Sequence, residues 1–230
     1  MSELFSIQLQ NRQQQGRDGV WLDLPTTTEQ VQVALRQIGI SSDNPQGLFI
    51  SGYFAEEEKR FAIPYNMVLA SNVDELNFLA SRLETLSTGE RAELNAALQA
   101  PQSELSSIGK ITDFPENVDY YVHLPDVHGP AQLGDYYLNR SGMVNMPEEW
   151  KGGIDTAQFG RYVAQQEQGV FTEYGYLVKS GDEWQKVHEG QPVPEEYRVL
   201  SFPVPEVMRD AANIPPPVQP ETEPQKVIPI

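Results

Sequence analysis

Carboxylates are the side chains with which this sequence could do chemistry, since it holds 33 Asp and Glu residues against 16 Lys and Arg. Adjacent pairs such as Asp74-Glu75 could in principle serve as the acid and the nucleophile of a glycosidase. An acidic chain contains many such pairs without catalytic use, so an enzyme of this kind ranks below a binding protein. The triplet Glu56-Glu57-Glu58 lacks the spacing of a calcium-binding loop.

The other residue types form no catalytic or cofactor-binding pattern. His123, His128 and His188 do not have the spacing of a metal-binding HExxH helix, and a surface or hydrogen-bonded role is the simpler interpretation. Lys151-Gly152-Gly153 lacks the rest of a phosphate-binding loop, and no G-x-S-x-G nucleophile turn occurs. The absence of cysteine excludes disulfides, thiol nucleophiles and cysteine-bound metals. We therefore predict a protein that is not an enzyme and that binds neither cofactor nor metal.

The acidic residues are distributed along the chain instead of being gathered in one tail. The net charge of −17 allows two interpretations, which are solubility or a working surface that imitates a polyanion. Such a surface would repel nucleic acids and attract basic protein surfaces, such as the DNA-binding faces of other proteins. The candidate acids of this surface are Glu56, Glu57, Glu58, Asp74, Glu75, Glu84, Glu90, Glu93, Glu104, Asp113, Glu116, Asp119, Asp126 and Asp135.

Targeting signals and basic stripes are not found in the sequence. Residues 1–17 are polar and contain no signal-peptide core, and no apolar run approaches the roughly 18 residues that span a bilayer. Lys and Arg form no stripe that could hold phosphates, so we expect no direct nucleic-acid binding and no membrane association. These features together predict a cytoplasmic protein.

Several secondary-structure elements must position these acids. The first of them are predicted to form an N-terminal α+β domain, residues 1–63, with the order β-β-α-β. We predict strands at residues 4–10, 19–24 and 48–54, and in the second of them Val20, Leu22 and Leu24 alternate with Trp21 and Asp23 as in a half-buried strand. Thr26 and Glu29 have the spacing of a capping box for the intervening helix, and Gly39 is a suitable stop.

Residues 64–112 are predicted to form a small helical bundle. An apolar stripe from Val73 to Leu86 recurs at helical spacing. Thr88 is the predicted cap of a second helix, which ends before Pro101, and Ser103 is the predicted cap of a short third helix.

Residues 113–202 are predicted to form a mixed α+β domain, followed by a flexible Pro-rich tail at 203–230. We expect a strand at 118–123, helices at 131–140 and 156–166, and a short helix opened by Pro147. Gly181-Asp182 between residues 175–180 and 183–189 is typical of a β-hairpin turn. The predicted fold class is therefore α+β, as an elongated chain of three small domains and a tail.

The elongation follows from the charge if the acids imitate DNA. B-form DNA carries one negative charge per about 1.7 Å, so a charge of −17 corresponds to about 29 Å of duplex. A compact chain of this length has a radius of gyration of about 17 Å and could not display these charges along one line. The polyanion interpretation therefore requires an elongated molecule, a dimer, or both.

Three groups of residues, taken in order, resemble a known family. The first two are Gly19-Val20-Trp21-Leu22-Asp23-Leu24 and Val73-Asp74-Glu75-Leu76-Asn77. The third and most specific is the block Tyr136-Tyr137-Leu138, Ser141-Gly142, Ile154-Asp155, Phe159-Gly160-Arg161 and Gly169-Val170-Phe171. Their order is similar to the strand, helix opening and C-terminal pattern of the ArdA antirestriction proteins, over about residues 4–171.

The resemblance implies an acidic homodimer, encoded by mobile genetic elements, that mimics bent B-form DNA. Such a protein occupies the DNA-binding cleft of type I restriction–modification enzymes, formed by the methyltransferase and specificity subunits, and blocks restriction and also modification. The resemblance places an antirestriction motif and the dimer contact in the C-terminal domain. The corresponding residues are Met143, Val144, Pro147, Trp150, Ile154, Asp155, Phe159 and Gly160, for which core packing is the alternative interpretation.

Two departures from the family pattern affect these expectations. Gly52-Tyr53-Phe54 stands where many members carry two acids, although Glu56 to Glu58 follow closely. The chain also continues past Phe171 for longer than short members do. An acidic adaptor that binds another basic DNA-handling defence complex is the alternative function.

Overall fold

The computed structural model describes residues 3–14, 18–101 and 103–203, with the backbone only at Glu58, and these residues form a mixed α+β fold. The strands are β1 (Phe5–Asn11), β2 (Val20–Leu24), β3 (Leu48–Phe54), β4 (Tyr121–Leu124), β5 (Val170–Thr172) and β6 (Gly175–Lys179). The helices are α1 (Thr28–Gln37), α2 (Tyr65–Leu69), α3 (Val73–Glu84), α4 (Thr88–Gln99), α5 (Ile108–Thr112), α6 (Pro130–Asp135), α7 (Glu148–Lys151) and α8 (Thr156–Glu167). None of these helices is long and apolar enough to cross a membrane.

The N-terminal β-β-α-β order is confirmed, with an antiparallel sheet of order β2-β1-β3. Phe5, Ile7 and Leu9 alternate along β1 and are buried in the same hydrophobic cluster as Val31 and Leu35 of α1. The predicted cap of α1 is wrong by one residue: Thr27 and Gln30 form the capping box. Thr26 is buried, and its N–H donates to the Asn77 side chain of α3, so it lies outside the helix start.

The helical region follows the predicted apolar stripe, which lies on α3 and is almost wholly buried. Two predicted caps are displaced. Ser87 caps α4 in place of Thr88, and Ser107 caps α5 in place of Ser103. In both cases a serine hydroxyl accepts a hydrogen bond from the backbone N–H three residues later, which the sequence offers at more than one position. Helix α2 was not predicted.

The C-terminal region contains the second antiparallel sheet, of order β4-β6-β5. The predicted strand at 118–123 begins as a 3-10 turn, Val118–Tyr120, before β4. The predicted helix at 131–140 is α6 continued by a π-helical stretch, Tyr136–Arg140. Helix α7 follows Pro147 as expected, and α8 begins after its cap Asp155.

The predicted hairpin around Gly181-Asp182 is wrong in its second arm. Strand β6 forms its hairpin with the preceding β5, with Phe171 opposite Tyr176. Residues 183–189 form no strand. Their backbone N–H groups bond to buried side chains instead of to a neighbouring strand. The Gln185 N–H donates to Asn117, and the His188 N–H donates to Asp113.

One continuous hydrophobic cluster extends from Leu4 to Val199 and joins residues of both sheets with α1 to α5. A second, smaller cluster centres on Val127, Leu133 and Tyr176. The division into domains at 1–63, 64–112 and 113–202 stays a prediction. The predicted tail lies outside the described residues from 204 onward, while Pro203 is buried.

Candidate acidic interaction surface

Carboxylates dominate the exposed charged groups of the described residues. We call the following eighteen exposed residues the acidic set: Glu3, Asp18, Asp23, Glu29, Asp43, Glu56, Glu57, Glu75, Asp119, Asp126, Glu148, Glu149, Asp155, Glu173, Asp182, Glu183, Glu195 and Glu196. The exposed cations are eight: Arg12, Arg36, Arg60, Arg140, Arg161, Lys179, Lys186 and Arg198. Exposed acids thus outnumber exposed cations more than twofold, so the surface of the described part is strongly negative.

Most of the acidic set has no cationic partner. Among the described residues, only Glu56 and Glu148 of this set form salt bridges, each with a lysine three residues away. The other salt bridges of the described part use acids that are half-buried: Glu104, Glu116, Asp135 and Glu189. The negative field of the acidic set is therefore little neutralised within the chain.

Five of the acids predicted from the sequence belong to the acidic set: Glu56, Glu57, Glu75, Asp119 and Asp126. Glu75 also serves the fold, because its carboxylate accepts from the Asn72 N–H in the capping box of α3. The side chain of the predicted Glu58 is outside the described part. The acids predicted from the sequence did not include the exposed Asp23 of β2 and Glu29 of α1. For Asp23, the alternation along the strand indicated that its side chain points outward.

Two of the predicted acids serve the fold instead of the surface. Asp113 is fully buried, with 0% of its surface exposed, and accepts from the N–H groups of His188 and Glu189. It is therefore not part of an interaction surface. Asp74 accepts from the N–H groups of Val199 and Leu200 at 2.8 and 2.7 Å.

Three predicted acids are held by cations. Glu104 lies 2.9 Å from Lys179 and 3.9 Å from Lys110, and the hydrogen bond from Lys179 lowers the pKa of its carboxyl. Asp135 accepts from Asn139 and Arg140, which lowers its pKa. Glu116 pairs with Arg82.

Glu93 and Glu90 on α4 differ in protonation, and Glu84 is half-buried at the end of α3. Hydrogen bonds with the Ser87 side chain and backbone lower the pKa of Glu90. Burial, together with the charges of Glu90 and Asp119, raises the pKa of Glu93 to about 8. Oxygen Oε1 of Glu93 is buried without a hydrogen-bond partner. At neutral pH Glu93 therefore keeps its proton and adds little negative charge.

The pair Asp74-Glu75, considered above for acid–base chemistry, lines an open groove of about 840 Å³ between α3, α5 and the segment after β6. Asp74 is bound by two backbone N–H groups, and Glu75 closes the capping box. Both carboxylates therefore have structural partners, which favours a structural over a catalytic role.

A second feature of the surface is a set of exposed apolar side chains around α7. Met143 is 74% exposed and Trp150 69% exposed, and no residue of α7 is buried. Tyr162 of α8 is also highly exposed, at 60%. Apolar side chains of this size cost free energy when they remain in water, so the surface around α7 is suited to an interface.

The remaining residues of the predicted motif are divided between this face and the interior. Pro147 is exposed and precedes α7, while Val144, Ile154 and Phe159 are half-buried. Asp155 caps α8 by accepting from the Gln158 N–H at 2.9 Å. Gly160 is buried where α8 meets α6, since a Cβ there would lie 1.8 Å from the Pro130 carbonyl oxygen.

The model of a family described as Antirestriction protein (ArdA) matches residues 15–178. This match spans well over half of the chain and includes α7, α8 and thirteen residues of the acidic set. The other five, Glu3, Asp182, Glu183, Glu195 and Glu196, lie outside it. No curated protein matches the chain.

Proposed function

The chain belongs to the ArdA family of antirestriction proteins, and we propose on that premise that it inhibits type I restriction–modification enzymes by taking the place of DNA. The observation that carries the proposal is the acidic set, whose members outnumber the exposed cations and are mostly unpaired within the described part. A basic cleft that binds DNA phosphates would attract such a surface, because both present closely spaced negative charge.

The proposed partners are the methyltransferase and specificity subunits that together enclose DNA in these enzymes. Because modification requires the same DNA-binding cleft as restriction, we expect both activities to be blocked. The site of action would be the cytoplasm, where DNA received with a mobile genetic element meets the enzyme. The inhibitor itself needs no catalytic group for this role.

We further propose that the inhibitor is a homodimer that pairs through the face formed by Met143, Trp150 and Tyr162. These side chains are apolar and highly exposed in the single chain. Pairing would cover them and would lengthen the negative surface, which is what mimicry of an extended duplex requires. We propose in addition that the assembled dimer is elongated and has a DNA-like shape.

Competition with DNA tests the proposed function. A labelled duplex bound to the methyltransferase core should be displaced by the protein, and raising NaCl from about 50 to about 200 mM should weaken the inhibitor as it weakens DNA. If DNA and the protein bind at the same time, or if the inhibitor is insensitive to salt, the proposal is wrong. Binding to a different basic complex without displacement of this duplex would favour the adaptor alternative.

Matched charge variants locate the binding surface. Neutralising Glu75, Asp119 and Asp126 together, as Glu→Gln and Asp→Asn, should weaken inhibition by about tenfold at low salt. Neutralising Glu183, Glu195 and Glu196, which lie beyond the family match, changes the net charge equally and should have a smaller effect. Equal effects would mean that only total charge matters.

A further inference from the structure

The segment after β6 runs back across the molecule without forming a strand or an α-helix. We call residues 181–203 the strap; apart from a 3-10 turn at Glu195–Tyr197, its backbone is irregular. The family match ends at residue 178, so the whole strap lies outside it. A backbone of this kind is stable against a protein surface only if its polar groups find partners.

The first part of the strap is held by side chains near α5 and β4. Asn117 accepts from the Gln185 N–H at 2.7 Å and donates to its carbonyl oxygen at 2.9 Å. Asp113 accepts from the N–H groups of His188 and Glu189 at 2.6 and 3.2 Å. Both Asp113 and Asn117 are buried, so these bonds are shielded from water.

The middle of the strap is held by α3. Asn77 donates to the Tyr197 carbonyl oxygen at 3.1 Å, and Asp74 accepts from the N–H groups of Val199 and Leu200. The Phe78 ring packs against Tyr197, with ring centroids 4.7 Å apart. Val199 itself is buried in the main hydrophobic cluster.

The end of the strap reaches the N-terminal β-β-α-β unit. The Ser42 N–H donates to the Pro203 carbonyl oxygen at 3.0 Å, and Gln32 of α1 donates to the Ser201 hydroxyl at 3.3 Å. Asn77 of α3 also connects the N-terminal unit with the strap. Its side-chain oxygen accepts from the Thr26 N–H, and its side-chain amide donates to the Tyr197 carbonyl oxygen.

We propose that the strap is an intramolecular clamp that fixes the N-terminal β-β-α-β unit and the second sheet in one orientation against α3 and α5. It joins three regions that carry members of the acidic set, and two of the side chains that hold it, Asp74 and Asp113, are themselves acids. The clamp is inferred only from the contacts described above. Its consequence for inhibition rests on the proposed function, because the clamp would set the relative positions of the acids that face the enzyme.

Severing the strap without removing it tests the clamp. A site-specific protease sequence inserted after Gly181, whose Cβ position is open to solvent, allows the folded full chain to be cut. We expect the cut C-terminal piece to remain bound on size-exclusion chromatography. Release of this piece from the cut but otherwise unchanged protein would overturn the proposal.

Hydrogen exchange gives a residue-level test in the uncut chain. The amides of residues 185, 188, 189, 199 and 200 should exchange at least about 100-fold more slowly than in an unstructured peptide. Asp74→Ala should remove this protection at 199 and 200, whereas Asp74→Asn keeps an acceptor and should retain most of it. The matched control Asp126→Ala, at an exposed acid outside the strap, should leave the exchange rates of these five amides unchanged. Unprotected strap amides in the unaltered chain would overturn the clamp even if Asp74→Ala fails to fold.

The consequence for inhibition is read from a cut protein in which two anchoring side chains, Asp74 and Asn117, are also replaced by alanine so that the strap is released. Strap release should weaken inhibition by about tenfold or more, with the acidic set still present on the two pieces. Undiminished inhibition after release would refute the positioning role and leave the antirestriction proposal intact. If the uncut protein does not compete with DNA at all, the proposed function fails, and the clamp is still judged by amide exchange.

Discussion

Glu93 and Asp113 carry the same chemical group in two different surroundings. The buried Asp113 carboxylate accepts hydrogen bonds from two backbone N–H groups, so both of its oxygens have partners inside the protein. Oxygen Oε1 of Glu93 is buried without such a donor and lies near other acids, so its pKa is raised to about 8. The number of acids in the sequence therefore overstates the charge that the surface displays at neutral pH.

Glu93→Gln should stabilise the protein at alkaline pH. The unfolded chain releases the Glu93 proton near its ordinary pKa of 4.5, whereas the folded chain holds it up to about 8, so rising pH between these values favours unfolding. Gln resembles the protonated form. After allowance for partial exposure, we expect the melting temperature at pH 8.5 to rise by about 2–4 °C, with little change at pH 4.5.

Thermal unfolding followed by circular dichroism at the two pH values measures this effect. Glu57→Gln is the control, since Glu57 is exposed and its neutralisation removes one charge without relieving burial. A Glu93→Gln protein that is no more stable than the parent at pH 8.5 would contradict the assignment of a buried, protonated carboxyl.

At the scale of elements, the closest packing lies between α6 and α8. Gly134 faces the Thr156 carbonyl oxygen, and Gly160 faces that of Pro130, so each helix passes over a glycine of the other. Backbone atoms approach so closely there that no side chain fits. This contact holds α8, which carries the exposed Tyr162, against the second sheet region.

Gly160→Ala should destabilise the C-terminal region, because the new Cβ would lie 1.8 Å from a backbone oxygen that cannot move aside freely. Overpacking of this kind costs about 1–3 kcal/mol, which corresponds to a fall in melting temperature of about 3–10 °C. Gly89→Ala is the matched control, because Gly89 lies in α4 with nothing within 4 Å of its Cβ position and should tolerate alanine. Equal melting temperatures for the two variants would refute the close crossing.

At the scale of the whole molecule, surface charge and exposed apolar side chains have opposite effects on the pairing of two copies of the chain. The acidic set repels a second copy of the chain, whereas the face of Met143, Trp150 and Tyr162 gains free energy when covered. A dimer that pairs through this face accommodates both effects if its acids point away from the contact. Added salt should then strengthen pairing while it weakens competition with DNA.

Replacing Met143 and Trp150 by serine should shift the protein from dimer to monomer. Loss of two central apolar contacts commonly costs at least about 2 kcal/mol in an interface, or about a 30-fold increase in the dimer dissociation constant. Sedimentation velocity over a concentration series measures this shift. Val33→Ser is the control, since Val33 on α1 is 49% exposed and lies outside the proposed face. A dimer unaffected by the double change, or equally weakened by Val33→Ser, would place the contact elsewhere.

The sequence by itself determined the features that depend on local patterns. Alternation predicted β2, the apolar stripe predicted α3, and the C-terminal block of motifs indicated the family that the match over residues 15–178 then showed. Helix caps were predicted only to within a few residues, since Thr26 and Thr27, or Ser103 and Ser107, offer the same hydroxyl. Such patterns are local because strand and helix periods repeat within a few residues.

Only the tertiary structure decided which acids serve the surface and where residues 181–203 lie. Asp74 and Asp113 read like any other acids in the sequence, but they bind backbone N–H groups of residues more than 70 positions away. The same distant bonds turn residues 183–189 from a predicted hairpin arm into part of the strap. The physical reason is that a buried carboxylate needs donors and an irregular backbone needs acceptors, and only folding brings the two together.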